Sequence, residues 1–178
     1  MKKILLSGIC LIALLLNSNC IQAQYDYLKF ENTQLYFEKV YSLDSLKSLE
    51  VEKNLLLGIP KLKDVTNFQK SPDIITLKIE NSLINYRKYG GKWATTAAFL
   101  NNPFFADVSI VWKEGKYKVT ISNMYFNTAG FGIMKSSNIF LKKHGSEFDS
   151  RENVILAGQY VEKYLADLFL IKKESKDW

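Results

Sequence analysis

The chain has 178 residues, of which 47% are hydrophobic, 24% charged and 13% aromatic, with a formal net charge of +6. That is the make-up of a single globular domain, too apolar for a disordered chain. Two cysteines and one histidine exclude a disulfide framework and most metal and nucleophile chemistry.

The N-terminus reads as an export signal. Met1, Lys2 and Lys3 are followed by the apolar run Ile4 to Leu16, then by Asn17-Ser18-Asn19 and the sequence Ile21-Gln22-Ala23. A positive segment, a short apolar core and a small residue before the cut are the parts of a secretory signal peptide, so residues 1–23 are expected to be removed and the protein to be periplasmic or secreted. The run is too short to span a bilayer, and outside it no stretch of about 20 apolar residues occurs, so an integral membrane protein is not expected. Cys10 and Cys20 both precede the cut, and the polar residues before Cys20 do not form a lipidation motif. Residues 24–178 then form one domain of 155 residues without cysteine, carrying 22 basic and 18 acidic groups. Its stability rests on its core.

Gln34 to Tyr41 has the β-branched and aromatic content of a strand. Ser42, Asp44 and Ser45 offer N-caps for a helix through Leu46, Leu49 and Leu56, which Gly58 and Pro60 end. Val65 to Gln69 is a short strand. In the next segment Ile75, Leu77 and Ile79 alternate with Thr76, Lys78 and Glu80, a strand with one wet face. Asn81-Ser82 either bulges that strand or turns it into another through Leu83 to Arg87, and the stretch 81–105 stays open between strands, helix and loop.

The clearest local signal is a hairpin of Ala106 to Lys113 and Lys116 to Tyr125 around Glu114-Gly115. Pairing Lys113 with Lys116 sets Trp112 against Tyr117, Ile110 against Val119 and Val108 against Ile121 on an apolar side. Val111 with Lys118, Ser109 with Thr120 and Asp107 with Ser122 fall on a polar side. Asn127 to Lys135 reads as a glycine-containing loop and Asn138 to Lys142 as a further strand. Asp149, with Glu152 three residues on, is the expected cap of a long helix striped by Val154, Ala157, Val161, Leu165 and Leu168.

Two segments, Tyr36-Phe37-Glu38-Lys39-Val40-Tyr41 and Glu114-Gly115-Lys116-Tyr117-Lys118-Val119-Thr120-Ile121, together with the signal peptide, resemble a secreted bacterial family of unknown function with a TATA-box-binding-protein-like fold. The resemblance covers roughly Gln34 to Tyr125. It implies an α+β domain, an antiparallel sheet with two helices packed on one face in the order β-α-β4-α. It brings no activity and no catalytic residues.

Fold analogy to a DNA-bending protein does not carry function. A minor-groove saddle needs apolar wedges and basic residues on its open face, whereas the expected face carries Asp107, Ser109, Thr120 and Ser122 with Lys118, so no nucleic-acid partner is expected. His144 is the single imidazole and reads as a solvated turn residue. No metal is expected, since no second His and no mature Cys accompanies His144, and no cofactor is expected, since Gly130-Phe131-Gly132 lacks the third glycine and the Lys-Ser/Thr pair of a phosphate loop. Glu38 and Asp107 are the pair that would serve a carboxylate-dependent hydrolase acting on an envelope or extracellular substrate. Trp93, Phe99, Phe104 and Phe131 stand at or beside expected loops, where aromatic side chains suit an envelope glycan, a lipid or a protein partner. The more ordinary role of these four is to close one end of the core. The reading that results is a non-enzymatic binding or interaction module, with the hydrolase as its alternative. The oligomeric state is not encoded in any feature of the sequence.

Overall fold

The structure, a computed structural model, describes residues 24–171. The expected signal segment 1–23, with Cys10 and Cys20, lies outside the described residues. In chain order the elements are β1 (Leu28–Glu31), β2 (Gln34–Ser42), α1 (Ser48–Gly58), β3 (Val65–Lys70), β4 (Ile75–Ser82), β5 (Phe104–Lys113), β6 (Lys116–Thr128), β7 (Gly132–Lys135), α2 (Ser136–Phe140), β8 (Leu141–Lys142), β9 (Glu147–Phe148) and α3 (Glu152–Leu168). The seven-stranded sheet runs β1-β2-β6-β5-β4-β3, with β7 also paired to β6, and every pairing in it is antiparallel.

The β5–β6 hairpin has the register its sequence dictates: Lys113 pairs with Lys116, Trp112 with Tyr117, Ile110 with Val119 and Val108 with Ile121. Alternation does the rest, because paired residues share a face and their neighbours point the other way. On the inner face Ile75, Leu77 and Ile79 of β4, Val108 and Ile110 of β5, Val119 and Ile121 of β6 and Phe37 of β2 are buried in one cluster with Val51 and Leu55 of α1 and Val154, Ala157, Val161 and Leu165 of α3. Both longer helices therefore lie on one face of the sheet. Each fully buried Leu, Ile or Phe contributes about 1.5–3 kcal/mol of transfer free energy. The outer face stays open, with Lys118, Thr120, Ser109, Asp107 and Lys78 in adjoining rows.

Three polar anchors fix α3 and the residues that follow it to the strands. Tyr117 Oη donates to the Phe169 carbonyl at 2.7 Å and accepts from the Ile171 N–H at 3.0 Å, and burial pushes its phenol up to about 12. Tyr41, stacked on Tyr117 with ring centroids 4.9 Å apart, donates to the Ala166 carbonyl at 3.0 Å. Glu162, a buried carboxylate of α3, accepts through Oε1 from the backbone N–H of Tyr27 and, at 2.8 Å, from that of Leu28. That carboxylate satisfies two donors that would otherwise be buried without a partner, and so pins β1 to α3.

Several expectations are corrected. Ser42 ends β2, and α1 starts only at Ser48 with Lys47 as its N-cap, the Lys47 N–H donating to Glu50 Oε2 at 3.0 Å. The intervening residues are used to tie down the hairpin turn, since Leu43 N–H donates to the Gly115 carbonyl and Gly115 N–H to the Leu46 carbonyl. Of the readings left open at Asn81-Ser82 the bulge is the one present, since the β4–β5 register shifts between Ile79 and Ser82, Asn81 takes a left-handed φ of 58° and β4 ends at Ser82; residues 83–103 form a connection with two 3-10 turns, Tyr86–Tyr89 and Ala98–Asn101. The expected loop 127–135 is the end of β6 plus β7, and the expected strand 138–142 is mostly the short helix α2, buried through Ile139 and Phe140. The cap of α3 is Arg151, not Asp149. Asp149 is buried two residues earlier, held by the Arg151 N–H at 2.8 Å and the Arg151 guanidinium at 2.7 Å.

Candidate functional site

Halfway along β6 the ladder with β5 slips. Phe105 pairs with Tyr125 and Asp107 with Ser122, so Ala106 alone faces both Asn123 and Met124. This is a β-bulge, and its extra residue Asn123 takes a left-handed φ of 50°, a conformation asparagine tolerates better than most side chains. Asn123 Nδ2 donates to Asp107 Oδ2 at 2.7 Å and so fixes the bulge from the open face.

The other edge of β6 is shared by two strands. β2 pairs with residues 116–121 and β7 with residues 125–128. The interval 122–124, at the bulge, pairs with neither. A groove of about 970 Å³ opens there. Its floor is Asn123, Met124 and Tyr125, one wall is Thr33, Gln34 and Leu35 at the β1–β2 turn, and the opposite wall is Ile133 and Lys135 of β7 with Ser137 and Asn138 of α2. The end is closed by Leu141 to Gly145.

That closing segment is held in an unusual backbone. Lys143, His144 and Gly145 all have positive φ, of 47°, 58° and 88°. Gly145 is required twice over, since a Cβ there would also lie 2.6 Å from Thr33 Cβ, so the two turns meet and complete the rim. Lys142 Nζ donates to Ser150 Oγ at 2.6 Å and stands 3.7 Å from Asp149, while Lys143 Nζ is 3.1 Å from Glu147 Oε2. Lys135 makes no ion pair among the described residues. His144 is exposed on the rim, a solvated turn residue as its sequence context reads, and also a groove residue.

The four aromatic candidates separate. Phe104 opens β5 with 0% exposure, paired with Phe126. Phe99 is partly buried and meets Phe126 and Phe140 edge-on at 4.9 and 5.8 Å. These two close the core. Trp93, 71% exposed, stands in the connection between the 3-10 turns, and Phe131, 87% exposed, sits at the β6–β7 turn. None of the four lines the groove.

Glu38 and Asp107 lie on the open sheet face, each in its own polar contacts. Glu38 binds Lys29 at 2.8 Å and Lys118 at 3.1 Å, and the hydrogen bonds from Lys29 and then Lys118 hold its carboxyl below the usual range. A general acid needs the opposite shift. Asp107 binds Asn123 and stands 3.8 Å from Lys78. Among the described residues no group of three or more His, Cys, Asp and Glu side chains stands together to hold a metal ion. No described helix is long and apolar enough to cross a membrane.

Sequence reasoning misses the groove because five separated segments build it, and a bulge creates its floor. The available signal is the polar pair Ser122-Asn123 interrupting the apolar alternation of β6.

No protein-family model matches the sequence, and no curated protein matches it. Among solved structures the chain is similar to a TBP-like protein from Parabacteroides distasonis, with a TM-score of 0.52 and 11% identity over 79% of this chain and 94% of that one. It is equally similar, at a TM-score of 0.52, to a DUF4468 family protein from Bacteroides ovatus, with 13% identity over 83% of this chain and 93% of that one. The likeness establishes the expected α+β, TBP-like fold.

Proposed function

We propose that the chain is an exported, non-enzymatic binding module of the periplasm or cell exterior, and that the groove beside the β6 bulge is its ligand site. The groove itself carries the reading: about 970 Å³ is near the upper end of the range of small-ligand sites, about 300–1,000 Å³. Its walls offer amide, hydroxyl and ammonium groups, while its lining contains no carboxylate, cysteine or paired base to drive a hydrolysis. Bulges are favoured beside functional sites because they re-aim side chains and interrupt pairing. Phe131, exposed at the β6–β7 turn and outside the groove lining, is a separate candidate contact. Trp93 is a candidate contact for a protein partner. The open sheet face pairs its lysines with Glu38 and Asp107, a surface unlike a minor-groove saddle.

A thermal-shift screen of the purified protein against envelope glycans, lipids, metals and envelope extracts tests this. A ligand at 100 times its dissociation constant adds about 2.7 kcal/mol, a shift of about 5–11 °C for a domain of this size. The expected result is a shift abolished by Asn138→Ala together with Tyr125→Ala. A flat screen, or a shift indifferent to both substitutions, overturns the reading. Export is tested by fractionation and N-terminal sequencing, which should find the protein outside the cytoplasm beginning at Gln24. Retention of residues 1–23 on cytoplasmic protein would refute it.

A further inference from the structure

We infer that the ligand of this groove is an acidic glycan, an oligosaccharide bearing carboxylates, an assignment that rests on the groove being a binding site. Apart from the phenol of Tyr125, every ionisable side chain in the lining is basic: Lys135, Lys142, Lys143 and His144. The nearest acids neutralise this only in part: Asp107, bonded to Asn123 of the floor, stands 3.8 Å from Lys78. Glu147 matches Lys143 and Asp149 stands between Lys142 and Arg151, so Lys135 and one further cation remain in excess around one cleft.

The neutral groups narrow the class. Gln34, Asn123, Asn138, Ser137 and Thr33 both donate and accept hydrogen bonds, the capacity that sugar hydroxyls require from a site. A lipid chain would need a continuous apolar lining, yet Leu35, Met124 and Leu141 are buried and leave Ile133 as the exposed aliphatic side chain. A nucleic-acid strand would need free aromatic faces for its bases. The single aromatic of the lining, Tyr125, already stacks on Phe105 with centroids 5.0 Å apart. The groove opens at the break between β2 and β7, and its volume of about 970 Å³ has room for several sugar rings. The lysines stand in two places, Lys142 and Lys143 at the closed end and Lys135 on the β7 wall, which suits a ligand carrying more than one carboxylate.

The test uses a matched pair, a galacturonic acid oligosaccharide and its methyl ester, titrated calorimetrically into the purified protein. They differ only at the carboxyl groups, which the ester caps with a methyl and strips of charge. The expected result is that the acid binds about ten-fold more tightly than the ester, the worth of one charge-assisted contact, and that added salt weakens the acid only. Lys135→Gln and Lys143→Gln should each weaken the acid several-fold. Lys113→Gln, at the turn end of the β5–β6 hairpin, should not. Equal affinity for acid and ester overturns the assignment while leaving the binding-module reading intact. Absence of binding by both, or indifference to Lys135→Gln and Lys143→Gln, also overturns it, and the unbiased screen above then decides the broader reading on its own.

Discussion

Gly158 sits in the middle of α3, where alanine would ordinarily stabilise the helix by about 1 kcal/mol. Here the sign should reverse. A Cβ at this position would lie 2.5 Å from both Cε1 and Oη of Tyr25, against an ordinary contact of 3.4–4 Å. The ring has nowhere to go, since Tyr25 is 5% exposed, packs edge-on against Phe148 at 4.8 Å and reaches the Val154 carbonyl through its hydroxyl. Overpacking of this kind costs about 1–3 kcal/mol, so Gly158→Ala should destabilise by up to about 2 kcal/mol after the helix gain is subtracted. In a Tyr25→Leu background the atoms met by the new methyl are gone, and the same substitution should stabilise by up to about 1 kcal/mol. Urea unfolding of the four proteins gives the coupling as a double-mutant cycle, expected at about 1–3 kcal/mol. A stabilising Gly158→Ala in the wild type, or the same effect in both backgrounds to within about 0.5 kcal/mol, would refute the argument.

Glu162→Ala should leave the Tyr27 and Leu28 amides without their acceptor, costing about 2–5 kcal/mol. Hydrogen exchange should show protection lost first at those two amides, and unchanged protection there would sink the claim that Glu162 pins β1. The carboxyl of Asp149 is held below its ordinary value, first by its hydrogen bond from Arg151. A group whose pKa is lowered by folding adds stability that is present above the unfolded pKa of about 4 and lost as pH falls through the folded value. Arg151→Gln should therefore raise the Asp149 pKa and move acid destabilisation to higher pH, as followed by carboxyl NMR titration and acid unfolding. A titration identical to the wild type would contradict the assignment.

The sheet was most legible where a two-residue turn and strict alternation left one register open. Every pair expected between Asp107–Lys113 and Lys116–Ser122 is present. The β1–β2 hairpin was not legible, because its turn is Asn32-Thr33 and a threonine with φ 66° runs against the preference for glycine there. Tertiary context overrode local propensity at 136–140, where Ile139 and Phe140 are buried from a single helical turn. Phe99 and Phe104 went to the core, the ordinary fate of aromatics. The groove depends on which strand takes which half of one edge of β6, and no local pattern in Gln34, Lys135 or His144 encodes that choice.

The extra residue in β6 acts on the chain as a frame shift acts on a message. Before it, odd-numbered residues face the core, Tyr117, Val119 and Ile121. After it, the even-numbered ones do, Met124, Phe126 and Thr128. Straightening the strand with Asn123 kept would put Tyr125 and Asn127 where Met124 and Phe126 now pack, whereas deleting Asn123 would set Ala106 opposite Met124 and leave the Phe105–Tyr125 and Phe104–Phe126 pairs as they are. Changing Asn123 to Gly keeps the count and keeps the frame. The strand is thus free in spelling at position 123 so long as the bulge is kept, and a homologue lacking the extra residue would keep both faces of β6 and lose only the bulge itself.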